Sequence, residues 1–365
     1  MIRPRTVLVT GATGLVGRGV VASLLRHTDA AIVALVRDPA RWQTIAAHHG
    51  WPTSRVTPIR ADITRPALGL DTKVLSRRLS SPSLVIHSAA DIVFSRSLAD
   101  ARRVNTEGTA NVLALSAQFP HARFMFVSSA FVVGRRTGTI AEGDDAGDAG
   151  WVNSYEQSKH EAEALVRSSG LEHVIARLST IVCDDVRGSV SQVNAVHRAL
   201  RLYRAGLASM MPGTDEAPVD VIPADWAAES VTKLALSREA CGRTLHLCAG
   251  NGALALGALL DRTYAVWSRD SDWRRRGIAR PALADMATYE LFERSVELVG
   301  DARLKRITRS LSHFVPQLAL PKRFDTSGAE AILGTSAPPV AAYWDRMLEW
   351  LIDANWNAAA LPEAA

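Results

Sequence analysis

Short apolar runs of four to six residues alternate with longer segments in which apolar residues recur at helical spacing. The short runs are rich in β-branched residues and lie at about 6–10, 31–36, 56–60, 84–87, 123–127 and 174–177. This composition is typical of strands buried on both faces. The intervening segments, of which about 98–117 has the clearest helical spacing, predict helices. Strand alternating with helix predicts an α/β fold with a doubly wound parallel sheet.

This regular pattern weakens beyond about residue 180 and suggests a division of the chain. We expect a first domain over residues 1–182 and a smaller, mainly helical substrate-binding region over 183–355. Segments within about 219–250 should return to the first domain. The glycine- and aspartate-rich residues 137–150 predict a loop, and residues 253–315 look mainly helical. The alanine-rich residues 356–365 predict a frayed tail.

Composition narrows the protein class. Of 365 residues, 47% are hydrophobic and 22% charged, with a net charge of +5, which is ordinary for a soluble globular protein. No apolar run is long enough for a membrane span or a signal-peptide core, so we expect a cytoplasmic protein, monomeric or homodimeric. Three scattered cysteines fit a reducing compartment and form no metal-binding spacing, so no metal is expected. The basic charge has no nucleic-acid-reading module beside it, which argues against nucleic acid as a partner.

A glycine-rich turn follows the first predicted strand directly. In Thr10-Gly11-x-x-Gly14-x-x-Gly17, the first glycine permits a tight turn and the second lets the backbone approach a pyrophosphate. The third allows the following helix to pack closely on the strand, so that the helix N-terminus faces the phosphates. This arrangement predicts a Rossmann-type dinucleotide site that includes Thr13, Leu15 and Val16 of the same turn.

The residues after the second and third strands bear on which dinucleotide binds. Arg37 follows the second strand and suits the 2′-phosphate of NADP(H), because a guanidinium pairs well with a phosphate dianion. Asp38 could instead reach a ribose hydroxyl, and Arg41 is a second phosphate candidate or a solvated helix residue. Asp62 and Ile63 are placed to meet the adenine, or else form a cap and part of the core. We expect NADP(H).

Tyr155 and Lys159 lie four residues apart, which places both side chains on one face of a helix. A phenol and an ammonium in this arrangement suit proton transfer at a carbonyl or alcohol, since the cation favours the phenolate. The pair alone is weak evidence, because an exposed helix face produces the same spacing. Its position about 140 residues after the glycine turn favours a catalytic interpretation.

Together these features resemble the extended short-chain dehydrogenase/reductases over about residues 5–250. The resemblance selects Ser129, with Ser128 as the alternative, as the hydroxyl that binds the substrate oxygen. It implies that Tyr155 is the acid or base, that Lys159 lowers its pKa and holds the nicotinamide ribose, and that Asn105 holds a relay water. It also places Ala89 and Ala90 at the cofactor. The matching motifs are Asn105-Thr-Glu-Gly-Thr109 and Ser128-Ser-Ala-Phe-Val-Val-Gly134.

A narrower likeness is to the thioester reductase and fatty acyl-CoA reductase branch. That branch implies reduction by NADPH of an acyl thioester, held on coenzyme A or on an acidic carrier protein, to an aldehyde or alcohol. Ser129 stands where the branch often has Thr, and Cys183 stands near a usual Gly. Since residue 1 follows no carrier region, we expect a free-standing reductase. The motifs that carry this likeness are His87-Ser-Ala-Ala90-Asp-Ile-Val-Phe94, Tyr155-Glu-Gln-Ser-Lys159-His-Glu-Ala-Glu163, Arg177-Leu-Ser-Thr180-Ile-Val182 and Val219-Asp220-Val-Ile-Pro223-Ala-Asp225.

The role of two basic segments is undecided at this point, and three other functions remain possible. Residues 267–280 and 303–323 interleave cations with apolar side chains, which suits an acyl chain, a docked carrier protein or a solvated helical cap. The same catalytic set would serve a ketone or aldehyde reductase, or a hydroxysteroid-type dehydrogenase. A nucleotide-sugar epimerase fits Arg37 less well, and a non-enzymatic dinucleotide sensor would not need the Tyr–Lys pair.

Overall fold

The structure is a computed structural model that describes residues 1–71, 82–299, 302, 305, 308, 309 and 312–356. Its strands are β1 (Thr6–Thr10), β2 (Ala31–Val36), β3 (Val56–Arg60), β4 (Leu84–His87), β5 (Arg123–Ser129), β6 (Gly138–Ile140), β7 (His173–Leu178), β8 (Thr180–Cys183), β9 (Met210–Pro212), β10 (Pro218–Val219), β11 (Val221–Pro223), β12 (Thr244–Leu247), β13 (Leu254–Ala255), β14 (Ala282–Ala284) and β15 (Lys322–Phe324). Its described helices are α1 (Leu15–His27), α2 (Pro39–His48), α3 (Leu98–Ser116), α4 (Ser154–Ser168), α5 (Ala195–Arg204), α6 (Ala224–Leu236), α7 (Leu256–Trp267), α8 (Ser271–Arg275), α9 (Met286–Val299), α10 (Ser327–Leu333) and α11 (Trp344–Asp353).

Seven parallel strands form the central sheet in the order β3-β2-β1-β4-β5-β7-β12. The chain winds outward from β1 to β3 and then crosses to β4 on the other side of β1. The strand order therefore reverses between β1 and β4, and ligands of doubly wound sheets bind at the carboxyl ends of strands at such a point. The predicted fold class is confirmed.

Each face of the sheet is covered by helices, as the alternation within β1 illustrates. Val7 and Val9 belong to a core shared with α1, α2 and α6, whereas Leu8 points to the opposite core with α3 and α4. All three side chains have no exposed surface. Because both faces are buried, the strands appear in the sequence as continuous apolar runs, which is why their bounds were predicted closely.

The elements after β7 depart from the regular pattern. The segment expected to be a loop at 137–150 contains β6, which pairs in parallel with the distant β15. Residues 253–315 are mainly helical where described, but β14 interrupts them and pairs with β9. Division of the chain at residue 182 remains a prediction. The predicted tail lies outside the described residues except for Trp356. Within the described ranges, no helix has the length and apolar character needed to cross a membrane.

A buried ion pair fixes α4 against the sheet. The Glu163 carboxylate of α4 accepts hydrogen bonds from Arg177 of β7 at 2.9 and 2.8 Å and from the Ser128 hydroxyl of β5 at 2.6 Å. Glu163 and Arg177 have no exposed surface. Arg177 also donates to the Asp144 carbonyl at 2.5 Å, which ties down the loop before α4. Burial alone would raise the pKa of Glu163, but these bonds and the nearby arginine charges lower it.

We expect Arg177→Met to destabilise the fold by about 3–5 kcal/mol, because it leaves the Glu163 carboxylate buried without its main partner. Urea unfolding followed by circular dichroism measures this. Arg187→Met is the matched control, because Arg187 pairs with Asp185 but is 85% exposed, and its unfolding midpoint should not move. A loss of only about 1 kcal/mol for Arg177→Met, the range of a surface pair, would contradict the structural role given to the ion pair.

Candidate active site

The glycine turn between β1 and α1 lies at the point where the strand order reverses. Gly11 has φ +72°, and a Cβ there would lie 2.6 Å from the Ala89 nitrogen. A Cβ on Gly17 would lie 2.0 Å from the Gly11 carbonyl oxygen. At Gly14 the nearest atom would be the Gly11 oxygen at 3.3 Å, which leaves that backbone open on its outer side. The structure thus shows the left-handed turn at Gly11 and the close packing at Gly17, while approach of a pyrophosphate to Gly14 remains a prediction.

Among the residues that the structure describes, no side chain caps the first turn of α1. Gly14 is the N-cap residue there. Thr13, Leu15 and Val16 are partly exposed around it. Uncapped N–H groups at a helix N-terminus form a binding site for anionic groups such as a pyrophosphate.

A buried hydrogen-bond chain joins the ends of β1 and β4 to α3. The Thr10 hydroxyl accepts from the Ala89 N–H at 3.3 Å and lies 2.6 Å from His87 Nδ1, while His87 Nε2 lies 3.0 Å from the Thr109 hydroxyl. Thr109 in turn donates to the Asn105 carbonyl. Every donor is used only if His87 carries its proton on Nε2, which assigns the tautomer. Burial, and then the Lys159 charge, lower the pKa of His87 to about 3, so the ring stays neutral.

Asp38, at the end of β2, caps the helix that follows. Its carboxylate accepts hydrogen bonds from the Ala40 and Arg41 backbone N–H groups at 2.9 and 3.2 Å. Asp38 therefore caps α2, a role that the sequence analysis did not assign to it, and its contact with a ribose hydroxyl remains a prediction. Arg37 lies close enough to Asp62 for its charge to lower the pKa of the Asp62 carboxyl. The Arg41 charge likewise lowers the pKa of Arg18 on α1. Arg18 is a residue that the sequence did not single out.

The two residues after β3 both make local contacts. The Asp62 carboxylate accepts from the Thr64 N–H and hydroxyl at 3.0 and 2.8 Å. Ile63 packs under α3, where a Cβ on Gly108 would lie 2.9 Å from its Cδ1 atom. Its carbonyl accepts from Asn111 at 2.8 Å. These contacts fix the turn beside the dinucleotide site, and contact with an adenine remains a prediction.

The structure distinguishes between the two candidate serines at the end of β5. Ser128 donates to Glu163 and thus points away from the sheet edge. The Ser129 hydroxyl accepts from the Phe131 N–H at 3.2 Å and forms a hydrogen bond with Tyr155 that lowers the pKa of the phenol. The Ser128 hydroxyl is therefore occupied by Glu163, and Ser129 is the serine of the two that contacts Tyr155.

Tyr155 lies in the first turn of α4, next to the aromatic ring of Phe94 at a centroid distance of 5.4 Å. The helix begins there because the Asn153 side chain caps it by accepting from the Glu156 N–H at 3.0 Å. Burial raises the pKa of the Tyr155 phenol to about 12 despite the Ser129 hydrogen bond. The phenol is therefore protonated at neutral pH and can act as a donor.

Lys159 follows one turn later and is 2% exposed. Its ammonium donates to the Val127 carbonyl at 2.8 Å and lies 3.9 Å from the centre of the Phe126 ring. Burial lowers the pKa of Lys159 to about 7, and the charge of Glu163 opposes this shift. The ammonium is therefore held at the sheet edge by β5, and its closest described partner is a backbone carbonyl rather than the Tyr155 phenol.

Asn105 joins the loop after β4 to α4. Its amide exchanges two hydrogen bonds with the Asp91 backbone at 2.8 and 3.0 Å and donates a third to the Ser158 hydroxyl at 2.9 Å. Both side-chain N–H groups are therefore in use. A contact with a relay water remains a prediction, and the free lone pairs of Asn105 are the groups available for it.

A polar network that the sequence did not predict joins α4 to the C-terminal part of the chain. Glu156, next to Tyr155, accepts from Gln317 at 2.6 Å, and Gln317 accepts from the Lys322 ammonium at 2.8 Å. Glu156 and Lys322 are 2% and 4% exposed. Only the position of Glu156 inside the Tyr–Lys motif could have drawn attention to it, because Gln317 lies 161 residues further along the chain.

The basic segment 267–280 is mainly structural. Trp267 and Trp273 are buried in the core, and three of the arginines pair with acidic side chains. These pairs are Arg269 with Glu349, Arg275 with Asp272, and Arg280 with Asp215 and Asp261. In the second segment Arg309 pairs with Glu297. Arg303, Leu304, Arg306, Ile307 and Leu311 lie outside the described residues.

Comparison with known proteins agrees with this geometry. The sequence profile of the Male sterility protein family matches residues 9–231, so the chain belongs to that family. Together with the glycine turn and the parallel sheet, this defines an oxidoreductase with a dinucleotide-binding fold.

Individual relatives are larger proteins. The isonitrile lipopeptide synthase of Streptomyces coeruleorubidus is 31% identical over 253 residues, which are 64% of this chain and 17% of the synthase. The chain thus spans a small part of that relative.

Two solved structures share the fold. The terminal R domain of the myxalamid PKS-NRPS pathway has a TM-score of 0.80 at 24% identity and covers 99% of this chain and 93% of its own. An archaeal thiolation-reductase di-domain has a TM-score of 0.71 at 19% identity, covering 97% and 77%.

The glycine turn generates a testable contrast. Gly14→Ala should leave the thermal unfolding midpoint near wild type and weaken dinucleotide binding by about tenfold or more, equivalent to about 1.4 kcal/mol. Its new methyl group would have one atom within 4 Å, the Gly11 oxygen at 3.3 Å. Gly17→Ala should lower both stability and binding, since its methyl group collides with the Gly11 carbonyl. Differential scanning fluorimetry and titration of reduced-nucleotide fluorescence measure the two quantities. Full dinucleotide affinity in Gly14→Ala would refute the placement of the pyrophosphate.

Proposed function

We propose that this protein is an NADPH-dependent reductase of acyl thioesters. The observation that carries the proposal is that Ser129, at the end of β5, and Tyr155, in the first turn of α4, bring their hydroxyl groups into contact. Two hydroxyl donors converging there suit a carbonyl oxygen on which negative charge develops. Support for the thioester comes from the family, from a lipopeptide synthase relative, and from the thiolation-reductase di-domain that shares the fold.

The proposed chemistry divides between the cofactor and this chain. Bound NADPH supplies the hydride. Ser129 and Tyr155 donate hydrogen bonds to the thioester oxygen as the hydride adds to the carbon. When the carbon–sulfur bond breaks, the oxygen lone pair re-forms the carbonyl, the thiolate leaves and takes a proton, and the product is an aldehyde. A second hydride transfer, with Tyr155 as proton donor, would give the alcohol.

Lys159 has two roles in this proposal. Its ammonium is held at the end of β5 by the Val127 carbonyl, within reach of a ribose bound over the sheet edge. A cation there also favours negative charge at the reacting oxygen and at the Tyr155 phenol. A pKa near 7 means that the proton on Lys159 depends on its surroundings, and an anionic dinucleotide would stabilise it.

The choice of NADPH over NADH is supported by charge at the end of β2. An acidic residue at this position would bind the ribose hydroxyls and repel a 2′-phosphate. Here Asp38 is engaged in capping α2, while Arg37, Arg41 and Arg18 surround the same turn. The acyl carrier is proposed to be a carrier protein or coenzyme A.

Reaction stoichiometry tests the function. The protein, NADPH and the N-acetylcysteamine or coenzyme A thioester of a medium-length acyl group should show NADPH oxidation with release of free thiol. One NADPH per thiol indicates an aldehyde, and two indicate an alcohol. NADPH oxidation with a ketone or aldehyde, together with no thiol release from any thioester, would instead select the ketone or aldehyde reductase.

The two serines provide a matched pair for the mechanism. Ser129→Ala should lower kcat by about 10²–10³, the usual effect of losing one oxyanion donor. Ser128→Ala, one residue earlier, should keep kcat within about threefold. It should lower the stability of the fold instead, because the Ser128 hydroxyl binds Glu163. Steady-state kinetics at saturating NADPH measures both. Equal losses in the two variants would contradict the assignment of Ser129.

Cofactor preference gives a separate prediction. Arg37→Ala should raise the Kd for NADPH by about 10- to 100-fold, as expected for a lost charge-assisted hydrogen bond, and leave the Kd for NADH nearly unchanged. Arg26→Ala is the control, because Arg26 lies at the far end of α1 and pairs with Glu229. Fluorescence titration measures the four constants. Equal weakening for both nucleotides would show that Arg37 does not bind the 2′-phosphate.

A further inference from the structure

A cleft between the sheet edge and the C-terminal segment lies beside the candidate catalytic residues. It contains about 520 Å³ of space, part of it open to solvent. Its walls are mostly apolar and include Phe131, Val196, Phe314, Leu318, Leu320 and Phe324. We call it the side cleft.

Two residues of the side-cleft wall are linked to the candidate catalytic residues. Phe131, in its wall, donates its backbone N–H to the Ser129 hydroxyl. On the other side, Phe314 stacks on Phe94 at a centroid distance of 6.5 Å, and Phe94 contacts the Tyr155 ring. A carbonyl held by Ser129 and Tyr155 would therefore have one of its substituents directed into this cleft.

The cleft wall contains a buried cation that the proposed mechanism does not use. Lys322 lines the cleft and is 4% exposed. Its ammonium has three N–H donors. Two have protein acceptors, Gln317 Oε1 at 2.8 Å and the Leu320 carbonyl at 3.1 Å. Within the part of the chain that the structure describes, the third has no hydrogen-bond acceptor.

The electrostatic surroundings of Lys322 favour a neutral partner over an anionic one. Burial lowers the pKa of Lys322 to about 8, and burial raises the pKa of Glu156 to about 7. Glu156 attracts Lys322 and shares Gln317 with it, so the ammonium already has a counter-charge. A carboxylate in the cleft would face Glu156, whereas a carbonyl or amide oxygen would accept the third hydrogen bond without adding charge.

Asp220 is the carboxylate of the cleft wall. Its two oxygens accept the Ala249 and Gly250 backbone N–H groups at 2.8 and 2.9 Å, which fixes the turn after β12. Lys322 is the cation of the described wall, and the Thr180 hydroxyl and the Gln317 amide are its neutral polar groups.

We infer that the side cleft selects acyl groups that carry an amide or keto oxygen part-way along the chain, and that Lys322 donates a hydrogen bond to this oxygen. The inference rests on the proposed function. It makes the preferred substrate a peptidyl-like or oxo-acyl thioester, while a plain hydrocarbon chain would leave the ammonium without its third acceptor at a cost in binding.

A substrate series tests this. N-acetylcysteamine thioesters of equal acyl length are compared, one a plain alkanoyl chain and the others with an amide replacing two methylenes at three successive distances from the thioester carbon. At one distance, wild type should favour the amide chain in kcat/KM by about tenfold or more, the value of a hydrogen bond to a charged donor. Lys322→Met should reduce this ratio to near one, mainly through KM.

Arg323→Met is the matched control, because Arg323 is the next residue of β15 but is exposed, and it should keep the wild-type ratio. The ratio is measured on one enzyme sample, so partial misfolding of Lys322→Met cannot alter it. If wild type reduces every chain without preference, or if Lys322→Met slows all chains equally, the inference is overturned and the proposed function stands. If wild type reduces no thioester, the proposed function fails, and the inference fails with it.

Discussion

The ion pair between Glu163 and Arg177 determines where α4, the helix with the candidate catalytic residues, lies. Neither side chain is exposed, so each needs the other, and α4 cannot shift along the sheet without leaving a buried charge unpaired. The pair also explains the two adjacent serines of β5. Ser128 completes the bonding of Glu163, and Ser129, the last residue of β5, contacts Tyr155 in the first turn of α4. Because Tyr155, Lys159 and Glu163 follow one another at intervals of four, one helix face carries the phenol, the ammonium and the anchor.

A second constraint acts at the point where the strand order reverses. Gly11 packs so closely on the Ser88–Ala89 backbone that no side chain fits between them. A chain of hydrogen bonds runs from the Ala89 N–H through Thr10, the neutral His87 ring and Thr109 to the Asn105 carbonyl. Asn105 continues it to α4 through Ser158. The dinucleotide turn and the catalytic helix are therefore parts of one hydrogen-bonded unit, which limits how far apart a cofactor and a carbonyl held at the two places can move.

The sequence predicted those features that depend on near neighbours. The bounds of β1 to β5 follow from apolar runs, and the three glycine roles follow from spacing, since both reflect local geometry. The sequence could not predict pairings between distant residues. The β6–β15 pair and the bridge from Glu156 through Gln317 to Lys322 each depend on how the folded chain brings groups together. Ser128 and Ser129 were separable only once Glu163 was known to lie behind the first of them.

Neighbouring residues of α4 contact different parts of the candidate site, which gives the proposed function a physical basis. Tyr155 and Glu156 are consecutive, yet the first contacts Ser129 and Phe94 while the second binds Gln317 of the C-terminal segment. Consecutive helix residues differ by about 100° in direction, so one turn of helix can serve the reacting oxygen and the substrate cleft at once. Phe314, Gln317 and Lys322 all come from that C-terminal segment, whereas Ser129, Tyr155 and Lys159 belong to the sheet and its helix. Changes in the C-terminal segment can therefore alter which acyl group is accepted without moving the groups that handle the hydride and the proton.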